Sequence, residues 1–95
     1  VVLGDHVLVL PNSILSHDDE IGDSTLITGG VAISGSVKVG RSCYIGTNCA
    51  IHQGVTIGEG SLIGMGSVVR HDVPPYSVVV GNPARLLREA QRPES

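Results

Sequence analysis

Ser16-His17-Asp18-Asp19 sets an imidazole directly beside a carboxylate. That pairing suits proton abstraction near neutral pH, because imidazole exchanges its proton in this range and a neighbouring carboxylate fixes its tautomer and raises its basicity. Asp18 is placed to do this for His17 of its own chain or of an adjacent copy. The same four residues also describe a plain solvated turn, and the residues alone leave both readings open. The remaining histidines have less company of this kind. His6 stands on an ordinary turn, and His71, next to Asp72, just precedes a pair of prolines, so both are read as surface residues.

The elements that must position this cluster are unusually regular. Twelve consecutive six-residue units run from Leu3 to Pro74, each beginning with an aliphatic residue: Leu3, Val9, Leu15, Ile21, Ile27, Ile33, Val39, Ile45, Ile51, Ile57, Ile63 and Val69. The second position is Gly in six of the twelve, and the fifth is Val, Cys, Ser or Thr everywhere except Asp19. A period of six matches neither the 3.6 of a helix nor simple alternation, which makes a repeat architecture the first hypothesis. One short strand and one turn per unit, three units per triangular coil and coils stacked roughly 4.8 Å apart would place the aliphatic columns in a narrow core. Four coils follow, Leu3 to Glu20, Ile21 to Lys38, Val39 to Thr56 and Ile57 to Pro74. The second-position glycines suit turns that need positive φ or close backbone approach. The cluster around His17 falls within this register without an insertion, and Asp19 falls at an inward-facing position, where it must find partners.

Ninety-five residues allow one domain, and the virtual absence of aromatic residues, Tyr44 and Tyr76 alone, agrees with a core too thin for rings. A stub this small is marginal by itself, so side-by-side association of flat faces is expected. A formal charge of −3 without a basic run argues against nucleic acid as a partner. No apolar stretch has the length of a membrane span and no signal peptide is evident, which makes a cytoplasmic location the expectation. The chain begins on Val1 already within the repeat, and an acceptor-binding domain upstream is expected to be missing. Cys43 and Cys49 occupy fifth positions one unit apart and are read as small core residues on different faces, not as a disulfide or a metal pair.

The solenoid is assigned to residues 1–74 and a cap and tail of the same domain to 75–95. Pro74-Pro75 ends the repeat because neither residue has an N–H to donate. Tyr76 to Val80 reads as a further strand and Gly81-Asn82-Pro83 as a turn. Ala84 to Gln91 has helix-forming composition and is read as a lid over the last coil. Arg92 to Ser95 is expected to fray.

From Ile14 to Leu86 the chain resembles the C-terminal domain of the sialic-acid O-acetyltransferase (NeuD) and PglD-type sugar acetyltransferase family, which are bacterial hexapeptide-repeat enzymes. The stretches that carry the likeness are Ser16-His17-Asp18, Ile21-Gly22-Asp23, Ser34-Gly35-Ser36-Val37, Gly54-Val55-Thr56-Ile57-Gly58-Glu59 and Val80-Gly81-Asn82-Pro83-Ala84. The last two are common to many hexapeptide acetyltransferases, while the polar unit followed without a loop by Ile-Gly-Asp points to the narrower family. The resemblance implies an all-β, left-handed parallel β-helix of about four coils with a short C-terminal strand/helix cap, assembled as a homotrimer. It further implies acetyl transfer from acetyl-CoA to an amine or hydroxyl of a nucleotide sugar or other small sugar acceptor. His17 would then be the general base and Asp18 the residue that raises its basicity. Leu26, Gly35, Thr47 and Met65 match the family's acetyl-CoA contacts, although Leu26 stands where members often carry a second histidine.

A γ-class carbonic anhydrase shares this fold and holds zinc with three histidines. His17 and His52 have nearly the separation of its first two ligands, but residues 55–58 contain no His, so no metal is expected. A maltose or xenobiotic acetyltransferase would share Gly81-Asn82-Pro83-Ala84 but usually carries a loop near its base, which the unbroken register here lacks. A non-catalytic trimeric scaffold is the alternative from another class.

Overall fold

The computed structural model describes residues 1–90. Each six-residue unit contributes a two-residue strand made of the sixth residue of one unit and the first of the next. The sixth points out and the first points in, as alternation in a strand requires. Three stacks result, parallel throughout except for β14 at the end of the second. The first holds β1 (Val2–Leu3), β4 (Glu20–Ile21), β7 (Lys38–Val39) and β10 (Thr56–Ile57). The second holds β2 (Leu8–Val9), β5 (Leu26–Ile27), β8 (Tyr44–Ile45), β11 (Leu62–Ile63), β13 (Ser77–Val80) and β14 (Arg85–Glu89). The third holds β3 (Ile14–Leu15), β6 (Ala32–Ile33), β9 (Ala50–Ile51) and β12 (Val68–Val69). Pairing follows an offset of 18 residues, as in Leu3 with Ile21 and Ile33 with Ile51. This three-sided parallel solenoid of about four coils agrees with a left-handed β-helix.

The inward column is buried from the second coil onward, with Ile27, Ile45 and Ile63 wholly inaccessible. Each such isoleucine contributes about 1.5–3 kcal/mol of hydrophobic stabilisation. In the first coil the column opens: Leu3 is exposed and Val9 and Leu15 are half-buried. Fifth positions also face inward, where Cys43 and Cys49 are free thiols at different corners.

Of the two uses expected of the second-position glycines, close backbone approach is the one the structure shows. Positive φ falls on the fourth position of the unit, at His6, Asn12, Asp18, Ser24, Gly30, Ser36, Ser42, Asn48, Gly54, Gly60 and Gly66. The second-position glycines are needed for space instead. A Cβ at Gly22 would stand 2.5 Å from Arg41 N, and one at Gly46 would stand 2.6 Å from Met65 N.

The C-terminal segment corrects the expectation of a helix. Arg85–Glu89 is a strand, β14, antiparallel to β13, with Val80 opposite Arg85 and Ser77 opposite Glu89. The physical reason is that β13 presents an unpaired edge and a strand satisfies it, whereas an eight-residue helix in water is marginal whatever its composition. Leu86 and Leu87 stay exposed at 61% and 62% and do not pack down on the coil. The end of the expected helix at Gln91 and the expected fraying of Arg92 to Ser95 lie outside the described residues.

Candidate functional site

Third positions of the units form columns along the three corners of the prism. His17 belongs to the corner between the third and first stacks, in line with Gly35, Gln53 and His71 of successive coils. Its ring lies against the backbone one coil on: a Cβ built at Gly35 would stand 2.7 Å from His17 Cε1 and 3.0 Å from Nε2. Only glycine leaves room for the imidazole in this place. The backbone of His17 is tied to the same coil, since its carbonyl accepts the Ser36 N–H at 3.0 Å.

Asp18 occupies the positive-φ place of its unit. Its Oδ2 is 3.4 Å from His17 Nδ1, with the two side chains 81% and 77% exposed. This is ion-pair range but longer than a good hydrogen bond, and at such exposure the pair contributes little to stability. Asp19 is different in kind. It is wholly buried, and its carboxylate accepts the Ser16 N–H at 2.8 Å and the Val37 N–H at 2.9 Å. The partners demanded by its inward position are therefore backbone amides, a detail that residue types do not encode. Among the described residues no buried side-chain polar atom lacks a partner.

The other expected contact residues are not gathered at this corner within one chain. Leu26 points outward from the second stack, half-buried, and Thr47 and Met65 stand on the corner between the second and third stacks, Met65 with 79% exposure. His52 is exposed on the turn after β9, two coils from His17. Among the described residues no three His, Cys, Asp or Glu side chains are grouped to hold a metal ion. A cleft of about 560 Å³ lies at the corner between the first and second stacks, lined by Asp23, Arg41, Glu59 and Tyr76 among others, and does not include His17. Burial raises the Cys43 and Cys49 thiols above their ordinary value of 9.0. Both point their sulfur at backbone carbonyls, Cys43 at Gly58 O (3.2 Å) and Cys49 at Gly64 O (3.0 Å), and neither is set up as a nucleophile.

Residues 36–71, six consecutive units, match the family described as bacterial transferase hexapeptide (six repeats). No curated protein matches the chain in sequence. Among solved structures, the chain is similar to serine acetyltransferase from Neisseria gonorrhoeae, with a TM-score of 0.91 and 30% identity over 97% of this chain and 39% of that one. It is also similar to the UDP-N-acetylglucosamine acyltransferase of Arabidopsis, with a TM-score of 0.89 and 35% identity over 94% of this chain and 31% of that one. A third, serine acetyltransferase from Brucella abortus in complex with coenzyme A, shows a TM-score of 0.82 and 29% identity over 95% of this chain and 40% of that one. The chain thus has the acyltransferase-type hexapeptide-repeat fold and spans about two fifths of the length of the serine acetyltransferases it matches.

Proposed function

We propose that the protein is an acetyltransferase that moves an acetyl group from acetyl-CoA to an amine or hydroxyl of a sugar, with His17 as general base. The observation that carries this reading is the seating of the His17 imidazole on Gly35 of the next coil. In the reaction the acceptor loses its proton to His17 as its nitrogen or oxygen bonds to the acetyl carbonyl carbon. The tetrahedral oxyanion is stabilised by a backbone N–H near the base, that of Gly35. Collapse breaks the carbon–sulfur bond, and CoA leaves as a thiol with the proton returned by the imidazolium. Asp18 orients His17 once the site is closed from solvent. A covalent acyl-enzyme is not needed, and the buried, carbonyl-bonded thiols support its absence. The sialic-acid O-acetyltransferase and PglD-type likeness of Ser16-His17-Asp18 favours a sugar acceptor over serine.

Acetyl-CoA enters as a substrate, and its pantetheine arm suits glycine-lined backbone better than long side chains. Gly35 at one corner, Leu26 on the second stack, and Thr47 and Met65 at the corner that follows that stack meet a single ligand only if a second copy sets its second stack against the His17 corner of the first. A homotrimer of this kind would cover the outward apolar column Leu8, Leu26, Tyr44 and Leu62, of which Leu8 is 55% and Tyr44 42% exposed. The test is complementation. His17→Ala and Met65→Asp proteins, each inactive, are unfolded together and refolded as mixed trimers; about a quarter of wild-type activity should return if each site draws on two copies. No return of activity from trimers shown to be mixed would place both residues in one subunit's site. A trimer that binds no acetyl-CoA by isothermal titration would instead leave the scaffold reading.

A further inference from the structure

We propose that Asp19 is a positioning residue for His17, one that clamps the turn carrying the base onto the coil beneath the imidazole. The inference rests on the general-base reading of His17 for its kinetic arm only.

At second positions the backbone N–H ordinarily donates to the next coil: Leu10 to Ile27 O (2.9 Å), Ser34 to Ile51 O (3.1 Å) and His52 to Val69 O (2.9 Å). Ser16 occupies the same place in its unit and its N–H goes instead to Asp19 Oδ2, three residues ahead. The four-residue turn that holds His17 and Asp18 is thereby closed on itself.

A second regularity shows what Asp19 replaces. Where a fifth position carries a hydroxyl, that oxygen accepts a backbone N–H from one coil on: that of the next fifth-position residue at Ser13 and Thr25 and, past the end of the repeat, those of Ser77 and Gly81 at Ser61 and Ser67. Ser13 accepts from Val31 (3.2 Å), Thr25 from Cys43 (3.2 Å) and Ser61 from Ser77 (3.2 Å). The same hydroxyls donate to carbonyls, Ser13 to Thr28 O, Thr25 to Gly40 O and Ser61 to Pro74 O. Asp19 reproduces the accepting half through Oδ1, which takes the Val37 N–H, but its other oxygen donates to no carbonyl. Its second oxygen is free to take the Ser16 N–H. A hydroxyl would suffice for stacking alone. A carboxylate in the turn that carries His17 and Asp18 joins both ends of that turn to the coil that bears Gly35. Positional error of about 1 Å at a reacting group costs on the order of 100-fold in rate, so a clamp of this kind acts on kcat more than on substrate binding.

Two substitutions separate clamp from stacking. Asp19→Thr supplies the hydroxyl used at other corners, keeping the Val37 bond and losing the Ser16 bond. Asp19→Asn keeps the shape but turns an amide N–H₂ toward one of the two donors, and serves as the harsher variant. Three quantities are measured on the purified protein: thermal midpoint, amide hydrogen exchange at Ser16, and kcat and KM for acetyl-CoA. For Asp19→Thr the expected result is a midpoint within a few degrees of wild type, exchange at Ser16 faster by about tenfold or more, and kcat lower by about tenfold at unchanged KM. Wild-type kcat in a folded Asp19→Thr protein with accelerated exchange at Ser16 would overturn the positioning role. Unchanged exchange at Ser16 would overturn the clamp itself. The exchange arm is read without catalysis. A wild-type protein with no acetyl transfer and a protected Ser16 amide would therefore count against the proposed function, leaving the clamp intact.

Discussion

Replacing Gly35 by alanine separates the stability of the coil from the geometry of the base. The new methyl would lie 2.7 Å from His17 Cε1, 3.0 Å from Nε2 and 3.2 Å from Nδ1. Ordinary carbon contacts begin near 3.4 Å, so the ring must retreat by about 0.7 Å or more. His17 is 77% exposed and has open solvent to retreat into. Gly35 does not sit at positive φ, so alanine is compatible with its backbone. The folding cost is then small, within about 1 kcal/mol of zero, since the steric cost is offset by the reduced freedom of the unfolded chain. The catalytic cost is not small: displacement approaching 1 Å at a proton-transfer group costs on the order of 100-fold, near 2.7 kcal/mol in activation free energy. Thermal unfolding and thiol release from acetyl-CoA measure the two arms. Gly35→Ala should melt within about 5 °C of wild type while kcat falls by one to two orders of magnitude. A kcat within about threefold of wild type would refute the reasoning, since the seating of the imidazole on Gly35 would then have no bearing on its work.

Other outcomes follow from the same structure. Gly22→Ala drives a methyl to 2.5 Å from backbone nitrogen of the next coil and should cost about 2–4 kcal/mol in denaturant unfolding. Gly54→Ala, at φ +77° with nothing within 4 Å, should cost only about 1–2 kcal/mol. Because burial raises the Cys43 and Cys49 thiols above 9.0, both states are neutral at lower pH and the unfolded state ionises first as pH rises. Stability is thus full below 9.0 and declines above it, and Cys43→Ala/Cys49→Ala should flatten that decline in unfolding curves taken across the range. In the native protein both thiols should resist iodoacetamide at neutral pH, and rapid labelling detected by mass spectrometry would contradict their burial.

The period of six and the aliphatic column from Leu3 to Val69 were enough to predict three parallel stacks, because one inward residue per strand leaves no other register that buries them. The positive-φ place was not legible, since His, Asn, Asp, Ser and Gly all fill it and only the geometry of the turn unites them. Arg85–Glu89 misleads for a related reason: its residues favour a helix, and the open edge of β13 is a tertiary fact absent from local composition. At the site, the neighbourhood of His17 and Gly35 follows from the 18-residue offset, and the structure bears it out. Asp19 was legible as a buried acid needing partners, but the partners are backbone amides and carry no signature in residue type. Leu26, Thr47 and Met65 lie at other places on the prism, and a single chain does not join them to His17.

The central claim is tested most directly by steady-state release of CoA thiol with amino-sugar and hydroxyl acceptors, comparing wild type with His17→Ala at matched fold and assembly. Wild type should release thiol in an acceptor-dependent way, and the variant should lose about 100-fold or more in kcat, as removal of a general base requires. Retention of more than about a tenth of wild-type kcat by His17→Ala would contradict the claim.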